Sequence, residues 1–165
     1  MRRDRAGAAL TIAAVAVLAC GADSEVDPPP VSAPADESVE LTVYLSDEAG
    51  IQSDCAAVRA VAHSVPAAET DLPSAAVRRV IRDVVPSPGL QPPGTPPLRE
   101  YFRGVRVEGA TALVRFDGGA LAYLNAAACA QAAVKTPIVR TLLEFPEVEA
   151  VAWVIDGEVF DAWDA

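Results

Sequence analysis

The single histidine, His63, is the residue of this chain best suited to acid–base chemistry. Ser64 follows it directly and Asp54 lies upstream, so the three residue types of a hydrolase triad are present. A triad requires the base to reach both the nucleophile and an orienting carboxylate. Consecutive residues of a strand point to opposite faces, so Ser64 is poorly aimed at His63. We therefore assign no catalytic residue, and a secreted hydrolase that uses His63 stays as an alternative hypothesis.

Metal and cofactor sites are not favoured by the remaining residue types. Zinc needs three or four ligands, whereas the chain has one histidine and three cysteines, two of which we predict to pair. The stretch 117–119, DGG, lacks the regular carboxylate spacing of calcium loops. No glycine-rich phosphate loop follows a strand. We expect no metal and no cofactor.

Two groups of side chains are candidates for contacting a partner. Arg78, Arg79 and Arg82 share one side of a predicted helix, on a chain whose net charge is −10. Most such basic faces are only solvated, but guanidinium groups also dock carboxylates or an acidic partner. Trp163 stands in an acidic tail, where an exposed aromatic ring can stack on a sugar or anchor a protein contact.

The N-terminal residues have the pattern of an export signal. Arginines at positions 2, 3 and 5 precede the apolar residues 6–19, which are too few for a transmembrane helix of about 20 residues. Residues 17–20, VLAC, resemble a lipobox, at which a signal is cleaved and the cysteine is lipidated. We therefore expect residues 1–19 to be a lipoprotein signal peptide. A lipid on Cys20 would then hold the protein outside the cytoplasm, on a bacterial membrane; an ordinary secretory signal is the alternative.

Cys55 and Cys129 then remain as an even pair of thiols in an exported domain, which is typical of a disulfide. The bond would close a loop of about 75 residues and stabilise the fold by about 4 kcal/mol in the chain-entropy model. A redox pair usually has Cys-x-x-Cys spacing, which is absent here. We predict a structural disulfide, with a redox pair and two free thiols as the alternatives.

Residues 20–38 and the overall charge restrict the partners. These residues are rich in proline and acidic side chains and have few large apolar ones, so we predict an extended tether. Removing residues 1–19, which carry a net charge of +2, would leave −12 on the mature chain. Such a charge repels nucleic acid, so we expect no nucleic-acid partner.

The elements that position these residues follow from hydrophobic periodicity. Val39–Leu45 alternates apolar and polar residues, which indicates a half-buried strand. Over Leu72–Val85 the period becomes helical, with Asp71 as a cap and Pro73 in the first turn. Pro86 ends this helix and begins a Pro/Gly loop that extends to residue 97.

A second helix is predicted over residues 126–145. Pro137 lies within it, so either one helix kinks there or a new helix begins at Thr136; we favour the kink. Further strands are predicted at Ala56–Val65, Tyr101–Val107, Thr111–Phe116, Val148–Ile155 and Glu158–Ala162. The order β-β-α-β-β-α-β-β indicates one α+β domain over residues 39–165, with a mostly antiparallel sheet of five or six strands and two helices packed on one face.

Several of these stretches resemble a known family. Residues 141–148, TLLEFPEV, precede a strand that ends in Asp156-Gly157, and residues 112–117, ALVRFD, form a hairpin strand. Together with the first strand and the cysteine pair, they resemble the GerMN domain, also called the sporulation and spore germination domain, over about residues 39–160. Arg115 stands where the family usually has an acidic residue. The resemblance implies an extracytoplasmic domain, shaped like ring-building modules of envelope complexes, that associates with peptidoglycan or protein and has no established catalytic residues.

From the sequence we expect a non-catalytic cell-envelope lipoprotein. Its GerMN-like domain would bind or scaffold an envelope partner, either another protein or peptidoglycan. Besides the hydrolase, a small-ligand carrier is an alternative, and it would require an apolar pocket.

Replacing Cys20 tests the anchor. Cys20→Ser removes the thiol that would carry the lipid, so we expect the protein to move from the membrane fraction to the soluble fraction when the two are compared by immunoblot. The lipid hypothesis is wrong if the variant stays with the membrane to the same degree as the unmodified sequence.

Overall fold

A computed structural model of the chain describes residues 37–47, 49–50, 53–84, 94–125 and 127–161. The strands in these residues are β1 (Ser38–Ser46), β2 (Val58–Pro66), β3 (Phe102–Glu108), β4 (Thr111–Phe116), β5 (Ala150–Ile155) and β6 (Glu158–Val159). The α-helices are α1 (Leu72–Ile81), α2 (Leu121–Leu124) and α3 (Ala128–Leu142). Two short 3-10 helices, Leu98–Glu100 and Gly118–Ala120, precede β3 and α2. The predicted signal, Cys20, Trp163 and most of the predicted tether and Pro/Gly loop lie outside the described residues.

The strands form two sheets. β1 and β2 make an antiparallel pair, and β3, β4, β5 and β6 form a four-stranded sheet in that order. The α+β class and the six strands predicted from the sequence are confirmed, but the strands do not all belong to one sheet. β4 and β5 are also parallel, because the chain crosses through α2 and α3 between them and enters β5 in the direction of β4.

The beginning of α1 agrees with the prediction. The carboxylate of Asp71 accepts a hydrogen bond from the backbone N–H of Ser74 at 3.1 Å, and Pro73 lies in the first turn. The helix ends at Ile81, earlier than the predicted Val85. α3 continues through the buried Pro137 as one helix, so no second helix begins there.

The core lies between the long helices and one face of the four-stranded sheet. Phe102 and Phe116 contact each other across the β3–β4 hairpin, with ring centres 5.4 Å apart. Trp153 is 5% exposed, as a core residue of β5. The other large residues of this core include Val77, Ile81, Leu98, Val114, Leu124, Ile138 and Leu142.

Two buried hydroxyl groups connect the helices to strand edges. Ser74 of α1 accepts a hydrogen bond from the backbone N–H of Val105 at 2.7 Å. Thr141 of α3 accepts one from the backbone N–H of Tyr44 at 2.8 Å. Both hydroxyl residues are fully buried, so these bonds satisfy groups that water does not reach.

Further links attach the β1–β2 hairpin along α3. The Ser46 hydroxyl donates to the carbonyl oxygen of Ala133 at 2.8 Å, and the Tyr44 hydroxyl donates to Glu144 at 2.9 Å. Cys55 and Cys129 lie at disulfide distance with their Cα atoms 5.1 Å apart, in the pairing predicted from the sequence. The hairpin is thus held to α3 near both ends of that helix.

In the described part of the chain, none of the helices combines the length and the apolar character needed to cross a bilayer.

Thr141→Val tests the contact between α3 and β1. Valine keeps the shape of threonine but leaves the buried N–H of Tyr44 without its acceptor, so we expect the free energy of unfolding to fall by about 1–3 kcal/mol. Thr136→Val, on the same helix but without a corresponding buried bond, is the matched control and should change it by less than about 0.5 kcal/mol. Chemical denaturation measures both, and equal effects would contradict this role of Thr141.

Candidate binding surface

A group of basic side chains gathers at the C-terminal end of α1. The buried stripe Val77, Val80 and Ile81 faces the core, and Arg79 and Arg82 lie off that stripe. We call Arg79 and Arg82, together with His63 of β2 and Arg99 of the 3-10 helix before β3, the basic surface. Three separate parts of the chain therefore contribute to it.

Arg79 and Arg82 differ in their environment. The side chain of Arg79 is 17% exposed, whereas that of Arg82 is 58% exposed. Both contact Asp83: the nearest N···O distance is 3.5 Å from Arg79 and 3.2 Å from Arg82. Arg79 is thus the more deeply placed of the two cations, and its contact with the shared carboxylate is the longer one.

Arg99 joins this group through the end of the helix. Its guanidinium donates to the backbone carbonyl oxygen of Arg82, the C-cap residue of α1, at 2.8 Å. A cation here satisfies a carbonyl that has no partner within the helix and opposes the negative end of the helix dipole. Arg99 could not be predicted as part of this group from the sequence, because it lies beyond the Pro/Gly loop and nothing in its spacing relates it to α1.

All three arginines affect the pKa of Asp83. The hydrogen bond from Arg82 is the main cause that lowers the pKa of Asp83. Desolvation, the next largest effect, raises this pKa, and the charges of Arg82, Arg79 and Arg99 lower it. Asp83 therefore remains ionised and offsets part of the positive charge.

His63 lies on the face of β2 that is turned toward the interior, opposite Leu41 of β1. Desolvation is the main cause that lowers the pKa of His63, and the charges of Arg79 and Arg82 lower it further. The charges of both guanidinium groups therefore disfavour protonation of the imidazole. Its neutral form is favoured more than in an isolated histidine.

The geometry does not favour the hydrolase alternative. Ser64 is exposed on the opposite face of β2, as strand alternation predicts. Among the described residues no nucleophile or carboxylate is hydrogen-bonded to His63, so the base and orienter contacts of a triad are not formed there. Within the same residues, no three His, Cys, Asp or Glu side chains converge as metal ligands do.

The third predicted arginine is directed elsewhere. Arg78 lies 4.0 Å from Glu69 and its side chain is 55% exposed. Exposed pairs of this kind contribute little to stability. Of the residues predicted to contact a partner, Arg79 and Arg82 are brought together with His63, Arg78 pairs separately, and Trp163 lies outside the described residues.

An apolar groove forms a second surface, between α3 and the edge of β5. Leu143 and Val159, with exposed fractions of 45% and 63%, line it together with Val139 and Val151. Three clefts among the described elements, of which this groove is one, have volumes of about 300, 380 and 430 Å³, at the lower end for ligand pockets. No specific feature of them favours a small-ligand carrier over a partner-binding surface.

Comparisons with known proteins relate the chain to one family. Residues 42–161 match the family model described as Germane: Sporulation and spore germination. The solved structure of the tandem GerMN domains of the sporulation protein GerM from Bacillus subtilis is similar, with 19% identity and a TM-score of 0.47. That similarity covers 73% of this chain and 40% of the solved chain, so this chain spans less than half of the length of that structure. None of the curated proteins matches the chain.

The effect of the Arg79 charge on the pKa of His63 can be measured directly. Arg79→Gln removes a cation that disfavours protonation of the imidazole, so we expect the pKa of His63 to rise toward its ordinary value. Because the chain has one histidine, its carbon-bound ring protons can be followed by NMR as the pH is changed. Arg106→Gln, on the exposed side of β3, should leave the pKa of His63 unchanged. An equal response to both substitutions would contradict the proximity of Arg79 to His63.

Proposed function

The chain belongs to the sporulation and spore germination family, and on that premise we propose that it is a non-catalytic lipoprotein of the cell envelope that binds an envelope partner through the basic surface. The lipid on Cys20 anchors it outside the cytoplasm, and the tether of residues 20–38 carries the folded domain away from the membrane. The partner is peptidoglycan or another envelope protein.

The anchor is supported by the order of N-terminal features. A basic start, an apolar stretch too short for a membrane span and a lipobox-like cysteine follow one another without interruption. An acyl chain adds roughly 0.8 kcal/mol of membrane affinity for each buried CH₂ group, and two or more chains give durable attachment. A folded domain on an extended tether can then reach material that does not lie at the bilayer surface.

The observation that carries the binding role is that Arg79 and Arg82 both contact the carboxylate of Asp83, while Arg99 donates to the backbone carbonyl oxygen of Arg82 beside them. The chain as a whole carries a net charge of −10, so an anionic partner is repelled by most of the molecule. A local cluster of guanidinium groups therefore selects the orientation in which such a partner docks. This binding weakens with added salt, because exposed charges are screened over roughly 10 Å at 0.1 M.

Charge-matched variants test the proposed function. The full-length protein, solubilised from membranes, is incubated with envelope extract for pull-down and with purified peptidoglycan for sedimentation. We expect Arg79→Gln/Arg82→Gln to weaken binding at least about a hundredfold, because the two charge-assisted bonds that are lost contribute about 1.5–3 kcal/mol each. The control Arg106→Gln/Arg115→Gln removes the same charge from the exposed side of β3 and β4 and should bind as the unmodified protein does.

Two results would contradict the proposal. If neither envelope protein nor peptidoglycan is retained by the unmodified protein, the binding function is wrong. If both double variants lose binding equally, net charge rather than the basic surface is responsible.

A further inference from the structure

The guanidinium of Arg79 has few hydrogen-bond acceptors for a side chain that is so little exposed. Its side chain is 17% exposed and carries five N–H donors, yet its contact with Asp83 is 3.5 Å long. Ordinary N–H···O bonds measure about 2.7–3.2 Å. Within the described residues, Asp83 is the carboxylate that Arg79 contacts. A second anion would supply the hydrogen-bond acceptors that this largely buried cation lacks.

The carboxylate of Asp83 is shared unevenly between Arg79 and Arg82. It accepts two bonds from Arg82, at 3.2 and 3.3 Å, both shorter than its contact with Arg79. Its side chain is 70% exposed, so no packing holds the carboxylate in place. One carboxylate thus contacts both Arg79 and Arg82, and the charge of Arg99 also lowers its pKa. An external carboxylate could therefore bind these arginines by displacing the weakly held carboxylate of Asp83.

We infer that Arg79, Arg82 and Arg99 form, beside His63, a binding site for a carboxylate group of an acidic peptide, and that Asp83 is a resident carboxylate that competes for it. This assignment rests on the proposed function and names the chemistry that the partner presents. A guanidinium group matches the two oxygens of a carboxylate with parallel N–H bonds. Asp83 already shows that a carboxylate is accepted at this position.

The pKa of His63 reports whether an anion is bound. An anion placed among the arginines opposes their charge, so it favours the protonated imidazole and raises the pKa of His63. By reciprocity, protonation of His63 strengthens binding, so affinity increases as the pH falls through the pKa of His63 in the complex. The charged residues that act on the imidazole are Arg79 and Arg82, both on α1.

Removing the competing carboxylate of Asp83 tests this site most directly. The full-length protein is titrated with a hexaglutamate peptide, and with hexaglutamine as the uncharged control, while the ring protons of His63 are followed by NMR. Asp83→Asn removes the competitor, so we expect hexaglutamate to bind about threefold more tightly, a modest gain because an exposed ion pair holds its partners only weakly. Arg79→Gln should weaken binding about tenfold, and Arg106→Gln should not change it.

The outcomes separate this site from the proposed function. Tighter binding by Asp83→Asn, with no response to hexaglutamine, supports the site. Unchanged or weaker binding by Asp83→Asn overturns it, as does a response to hexaglutamate no larger than that to sodium chloride of equal ionic strength. Inorganic phosphate binding as tightly as the peptide would show a general anion site and overturn the carboxylate assignment. If envelope material is retained but hexaglutamate is not bound, this site is wrong and the proposed function stands.

Discussion

The attachment of the β1 edge to α3 is the contact on which the arrangement of the described chain depends. A two-stranded hairpin is at best marginally stable on its own, so β1 and β2 need a second element to hold their shape. The fully buried hydroxyl of Thr141 receives the N–H of Tyr44, and a bond from Ser46 to α3 lies farther along the same edge. These bonds replace the partner strand that β1 lacks on that side.

This attachment also determines what lies beside α1. The hairpin is held against α3, and α1 packs against both α3 and β1. The His63 side of β2 is therefore brought to the side of α1 that carries Arg79 and Arg82. The 3-10 helix before β3 adds Arg99 from the other direction. The basic surface thus exists only in the folded chain, where elements distant in sequence meet. Its charge is local on an otherwise acidic molecule, which gives an anionic partner one preferred approach.

Local features of the fold could be predicted from the sequence, and long-range pairing could not. The cap at Asp71 and the alternation that buries one side of β2 depend on neighbouring residues, and the structure agrees with both. The division into two sheets and the parallel pairing of β4 with β5 depend on contacts between distant segments, which periodicity does not encode. Arg99 was missed for the same reason, whereas Arg79 and Arg82 were found because helical spacing places them together.

The central claim is that an envelope partner docks where α1, β2 and the 3-10 helix meet. Amide hydrogen exchange of the full-length protein, measured with and without bound envelope material, tests it most directly, since contact with a partner slows exchange of the backbone it covers. The account predicts slower exchange in residues 59–63, 78–84 and 98–100, with no change around Leu143 and Val159. Slower exchange confined to the groove between α3 and β5 would contradict it.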